Sequence, residues 1–140
     1  MNREKTLQKL FYKMLLIRRV EEAFAKMYKI EEQEIRCPIH LSVGQEAVAV
    51  GAVDKLLVND SVFSNHRAHA NYIAKGGNLN KMFAEFFGKE NGCSGGRGGS
   101  MHLIDLQAGF CGAVPLVGST IPLAVGFAWS HKLRSASMVS

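Results

Sequence analysis

The sequence has little that would mark a specialised class. No run of apolar residues in its 140 is long enough to cross a bilayer, so no membrane-spanning helix is expected. Cysteine is scarce: Cys37, Cys93 and Cys111 form no C-x-x-C pair and leave an odd thiol. That argues against a disulfide scaffold and a zinc site, and for a reducing, cytoplasmic setting. Lys and Arg outnumber Asp and Glu by 17 to 12, but the basic residues are scattered and concentrate most on the first predicted helix. Without a basic stripe and interleaved aromatics, nucleic acid is not an expected partner, and most of the charge is solubilising. Met1 to Lys5 leads into a charged amphipathic stretch, not the apolar core of a signal peptide. No repeat or low-complexity linker divides the chain, which reads as one domain, 1–140, and 47% apolar content can build a core.

Glycine, by contrast, is abundant in one place. Between Glu90 and Leu103 five glycines, Gly92, Gly95, Gly96, Gly98 and Gly99, fall in eight positions, with Ser100 and His102 directly behind. Each glycine costs backbone entropy, and the return is positive φ or close approach of bare backbone to something else. The run is not a Walker A loop, since no Gly-Lys-Ser/Thr follows. Nor is it G-x-G-x-x-G, because Met101 stands where the third glycine belongs. A ligand-cradling loop and a loop that turns tightly against the protein both fit.

The periodicity predicts mostly helices. From Glu4 to Lys29, Leu7, Leu10, Phe11, Met14, Leu15, Val20, Phe24 and Met27 recur at three and four. Ser42 and Gln45 read as a capping box before a helix over Val43–Leu57. Ser61–Ser64 is a short strand candidate, and Arg67–Lys75 a helix stopped by Gly76-Gly77. Asn78 caps a helix with Met82, Phe83, Phe86 and Phe87 inward and Gly88 as its stop. Val114–Val117 reads as an extended piece. Ser119-Thr120-Ile121-Pro122 opens a helix to Leu133, with proline in its first turn, and Ser135–Ser140 opens a strand. Helices alternating with short parallel-type strands indicate an α/β fold.

Four of the five histidines, His40, His66, His69 and His102, fall at predicted element ends beside glycine or arginine. With Arg67, whose guanidinium offers a fixed fork of donors, they read as a polar cluster around an anion. A metal site is the lesser alternative, because His66 and His69 have no acidic residue close in sequence.

Four stretches in order, His40–Ala47, His66–His69, Gly98–His102 and Val117–Leu123, resemble the N-terminal part of the alpha subunit of thiamin-diphosphate-dependent 2-oxo acid dehydrogenases, the pyruvate and acetoin types above all. The resemblance implies an α/β thiamin-diphosphate-binding fold, helix-rich with short parallel strands and truncated before the metal-binding motif. It implies oxidative decarboxylation of a 2-oxo acid, or cleavage of acetoin, with transfer to a lipoyl disulfide. The family's Tyr-Arg pair for the cofactor diphosphate falls on His66-Arg67, histidine replacing tyrosine. The backbone groups that position the pyrimidine ring fall on Pro115 (carbonyl) and Val117 (N–H). His40 and His69 are the candidate catalytic residues. The expected partners are a beta subunit, in an alpha2beta2 assembly, and a lipoyl acyltransferase core. Mg²⁺ is expected on a Gly-Asp-Gly motif beyond Ser140, and this chain alone is expected to be inactive. A transketolase-like subunit and a truncated, non-catalytic interaction module are the alternatives.

Overall fold

The computed structural model describes residues 3–28 and 34–140. The predicted end of the first helix at Lys29 lies outside them. Helix α1 runs over Arg3–Met27 and buries Ile17, Val20, Glu21 and Phe24, the three-and-four spacing of one inward stripe. The stripe is buried only in its second half: Leu7 and Phe11, on the first, are 55% and 63% exposed. Phe24 anchors the packing, with ring centroids 4.3 Å from Phe83 and 4.5 Å from Phe86. Burying a side chain of that size contributes about 1.5–3 kcal/mol.

Helix α2, Glu46–Val53, is shorter than the predicted Val43–Leu57, and its start corrects the capping-box expectation. Gly44 takes φ +88°, which no helix continues through. The Ser42 carbonyl accepts from Gln45 N–H at 2.9 Å, while the Ser42 hydroxyl caps nothing. No side chain caps the helix at Gln45; the Glu46 carboxylate instead braces the turn before it, accepting from Gly44 N–H at 3.1 Å and from Arg18 Nε at 2.6 Å. That second bond ties α2 to α1.

Strand β1 (Val62–Ser64) precedes helix α3 (His69–Lys75), which ends at Gly76 with φ +100°, as predicted. Helix α4, Leu79–Phe86, is capped by Asn78, whose side chain accepts from Lys81 N–H at 3.1 Å. Strand β2, Phe110–Ala113, pairs in parallel with β1, the register shifting between Val62 and Phe63. The extended piece predicted at Val114–Val117 is therefore misplaced by a few residues. Pro115 has no N–H to give a ladder, so the strand ends before it and the chain turns. Helix α5, Thr120–Leu133, follows and packs on β1. No strand forms at Ser135–Ser140, but Val139 already lies against β1: its carbonyl accepts from Ser61 N–H at 2.8 Å, and its N–H donates to Asp60 Oδ1 at 2.9 Å.

Candidate functional site

The two parallel strands end side by side. Val114 N–H, just past β2, donates to the Ser64 carbonyl at the end of β1 at 3.2 Å. This brings Asn65-His66-Arg67 and the Pro115–Val117 turn, some fifty residues apart, to one edge of the sheet. In open α/β folds ligands bind outside the carboxyl ends of strands.

A cavity of about 320 Å³ opens there, lined on its polar side by Ser42, Gln45, Asn65, His66, Arg67 and Asn71. Among the described residues no acidic side chain lines it. Arg67 N–H donates to Asn65 Oδ1 at 2.9 Å, an Asx turn that fixes the arginine just past the strand. One guanidinium nitrogen, Nη1, donates to the Leu41 carbonyl. The Ser42 hydroxyl is buried and has no partner among the described residues. The His40 and His66 rings meet edge to face, centroids 4.8 Å apart. Burial pushes the His40 imidazole below its ordinary value, and His66, Arg67 and His69 push the same way. His40 Nδ1 is buried without a partner among the described residues. Such a lining of amides, a hydroxyl, one imidazole and one guanidinium suits a phosphate-sized anion.

His40, His66 and Arg67 thus come together, but the predicted cluster of four histidines does not. His69 is fully buried, its Nδ1 3.0 Å from Glu21 Oε1, between the rings of Phe24 and Phe86. His69, expected as a candidate catalytic residue, thus lies away from the cavity in this structure. Helix α3 turns that side chain into the core, where the pair links α1 to the helix just past Arg67. His102 is exposed at the glycine loop, its Nδ1 2.9 Å from the Gly98 carbonyl. Pro115 and Val117 lie on an exposed turn, Val117 at 80% exposure. Among the described residues no group of His, Cys, Asp and Glu is placed to hold a metal ion.

The glycine loop is occupied from within. Glu85, on α4 and 1% exposed, accepts from four of its backbone amides. Oε2 takes Ser94 N–H at 2.7 Å and Gly96 N–H at 2.9 Å; Oε1 takes Gly98 N–H at 2.7 Å and Gly99 N–H at 3.0 Å. Four of the five glycines, all but Gly95, are required by close approach: a Cβ on Gly92 would stand 2.4 Å from Glu85 Oε2. A larger cleft of about 610 Å³ lies between this loop and residues 36–38. The loop amides there already have their anion in Glu85, while Arg36, Lys89 and Arg97 line the cleft along with Glu34. Sequence reasoning missed Glu21 and Glu85, the two most deeply buried acids among the described residues. The available signal was an acid inside an apolar stripe: Glu85 beside Phe86, three past Met82, and Glu21 beside Val20, three before Phe24.

Residues 12–140 match the family described as the dehydrogenase E1 component. The chain belongs to that family. An E1 sequence from Oryza sativa subsp. japonica, pyruvate dehydrogenase E1 component subunit alpha-1, mitochondrial, is 43% identical over 124 residues, 89% of this chain and 31% of the relative. The alpha subunit of acetoin:2,6-dichlorophenolindophenol oxidoreductase from Bacillus subtilis is 42% identical over 132 residues, 94% of this chain and 39% of the relative. The mitochondrial pyruvate dehydrogenase E1 alpha subunit of Solanum tuberosum is 38% identical over 136 residues, 97% and 34%. The chain spans about a third of the length of these curated relatives. Its helix-rich architecture with a short parallel sheet is consistent with the N-terminal part of an E1 alpha domain.

Proposed function

We propose that this chain supplies the diphosphate-binding side of an E1 alpha subunit, in an enzyme that oxidatively decarboxylates pyruvate or a related 2-oxo acid, or cleaves acetoin. The observation that carries this reading is the acid-free cavity at the carboxyl ends of β1 and β2, with Arg67 at its wall and an unpartnered Ser42 hydroxyl inside. Arg67 and His66 would hold the diphosphate of thiamin diphosphate, helped by the amides of Gln45 and Asn65. The Pro115 carbonyl and the Val117 N–H would take the pyrimidine side. Bound thiamin diphosphate supplies the carbanion and the electron sink. His40, whose imidazole burial and then its neighbours His66, Arg67 and His69 push below its ordinary value, offers its unpartnered Nδ1 as a proton acceptor. Mg²⁺ would accompany the diphosphate, on residues outside this sequence. A cavity of about 320 Å³ is at the small end for ligand pockets, room for a diphosphate and not a whole cofactor. That suits a site shared with a beta subunit in an alpha2beta2 assembly, which hands the acyl group to the lipoyl disulfide of an acyltransferase core. Three free thiols suit a reducing, cytoplasmic compartment.

The test is made on the protein carrying this chain, assembled with an E1 beta subunit, with thiamin diphosphate and Mg²⁺ titrated against dye reduction. Saturable, cofactor-dependent turnover of pyruvate, another 2-oxo acid or acetoin is expected. A cofactor-independent rate, or no turnover of any of them in a folded assembly, would overturn the reading.

A further inference from the structure

We propose that Glu85 is a positioning residue for His40, acting through the glycine loop. The first link is the carboxylate itself. Four amides of one loop converge on it, two to each oxygen, and such charge-assisted bonds are stronger than neutral ones. An uncharged apolar side chain would fill that face of α4 without the cost of burying a charge. What it could not do is gather Ser94, Gly96, Gly98 and Gly99 around one point.

The second link runs from the loop to residues 37 and 38. Gly99 lies so close that a Cβ there would stand 2.7 Å from Cys37 Cβ. The Ser100 hydroxyl, in the position next to Gly99, donates to the Pro38 carbonyl at 2.8 Å. The Ser100 backbone N–H faces the Cys37 thiol. The third link is the chain itself, since His40 is two residues past Pro38. On the far side of His40, the Leu41 carbonyl accepts from Arg67. The segment carrying His40 is therefore held between two struts, Ser100 before it and Arg67 after it, and Glu85 fixes the loop from which the first strut projects. The glycine-rich run is a scaffold closed on an internal carboxylate, and its product is the placement of an imidazole.

The catalytic weight of His40 rests on the function proposed above; its coupling to Glu85 does not, and the experiment separates the two. In ¹⁵N-labelled protein, amide exchange at Gly96, Gly98 and Gly99 reads the loop, and the ring titration reads His40. The charged and titratable groups facing that ring are His66, Arg67 and His69. Glu85→Ala should speed exchange of the three amides at least tenfold and raise the His40 pKa toward its ordinary range, and added formate, a small carboxylate for the vacated place, should reverse both. Ser100→Ala cuts only the strut: exchange at Gly98 and Gly99 stays slow while His40 moves the same way. The double variant should shift His40 no further than the larger single shift. An unmoved His40 in Ser100→Ala overturns the proposal, also where Glu85→Ala fails to fold, and so do additive shifts. In the assembled enzyme Ser100→Ala should lower kcat several-fold with half-saturating thiamin diphosphate unchanged. If His40 titrates differently while kcat stays at the parent value, the coupling stands and the catalytic reading of His40 falls.

Discussion

Replacing Arg67 by alanine perturbs the site in two separable ways. The guanidinium fork has one nitrogen on the Leu41 carbonyl, and its remaining donors are available at the cavity wall. Toward a diphosphate oxygen, a charge-assisted contact contributes about 1.5–3 kcal/mol. In the assembled enzyme Arg67→Ala should therefore raise the half-saturating thiamin diphosphate concentration by about one to two decades. The tether adds a second effect: Leu41 loses its donor, at roughly 1 kcal/mol of fold stability and a few degrees in Tm. Arg67→Lys should recover part of the affinity, because an ammonium keeps the charge without the fork and cannot reach carbonyl and phosphate together. His40→Ala is the control. Its ring is beside the cavity and it carries no fork, so turnover should fall while half-saturation is nearly kept. The assay is a cofactor activation curve for each variant at fixed Mg²⁺, with melting of the same samples. If Arg67→Ala leaves half-saturation unchanged and His40→Ala raises it, the diphosphate is not at the His66-Arg67 turn.

Two further outcomes follow from the fold. The Arg18 guanidinium bonded to Glu46, with backbone amides, holds that carboxyl down from 4.5 to about 2. A depressed folded value means the stabilisation is complete above about pH 4.5 and disappears as the pH falls toward 2. Because Arg18 is partly exposed and screened, Glu46→Gln should cost only about 1–2 kcal/mol at pH 7, and urea midpoints of parent and variant should converge over that acid range. In the glycine loop, Gly95 and Gly99 both have positive φ, but only Gly99 has a neighbour in the way, Cys37 Cβ at 2.7 Å. Gly95→Ala should lose about 1 kcal/mol from backbone strain, and Gly99→Ala about 1–3 kcal/mol more from overpacking; equal urea midpoints would refute the close contact.

Local signals in the sequence carried far where the deciding interaction is local. Gly76 stops α3, Asn78 caps α4 and Pro122 sits in the first turn of α5, each within a few residues of the element it punctuates. The same reasoning failed at Ser42, because Gly44 at φ +88° starts the helix later, at Glu46, whose carboxylate is held by Arg18, far away on α1. That His66 and Arg67 stand together at one cavity wall was legible because strand end, turn and guanidinium are contiguous. His69, two residues on, was not, since its partner Glu21 is 48 positions away and no periodicity pairs them. The glycine loop was legible as a place where backbone must approach something. That the something is Glu85 depends on α4 packing beside it, a tertiary fact.

The remaining apolar surface bears directly on the site. Helix α5 is apolar on nearly all its faces, yet of its fourteen residues only His131 is buried. Val125, Trp129 and Leu133 are 64%, 58% and 69% exposed, while Phe127 meets Phe63 of β1. A helix of that composition belongs inside a larger core, with neighbours on several sides. Its first turn follows directly from Pro115–Val117, and the groove it forms with α2 shares Val48 and Asn71 with the phosphate-sized cavity. A neighbour that buries Val48 and Ile121 must therefore also stand at the rim of that cavity. The burial that α5 requires and the exclusion of water from the site are then one event. A carbanion chemistry needs that exclusion, and Arg67 attracts an anion more strongly once the surrounding water is gone. The fold thus places its least satisfied apolar helix where covering it would do most for the chemistry proposed above.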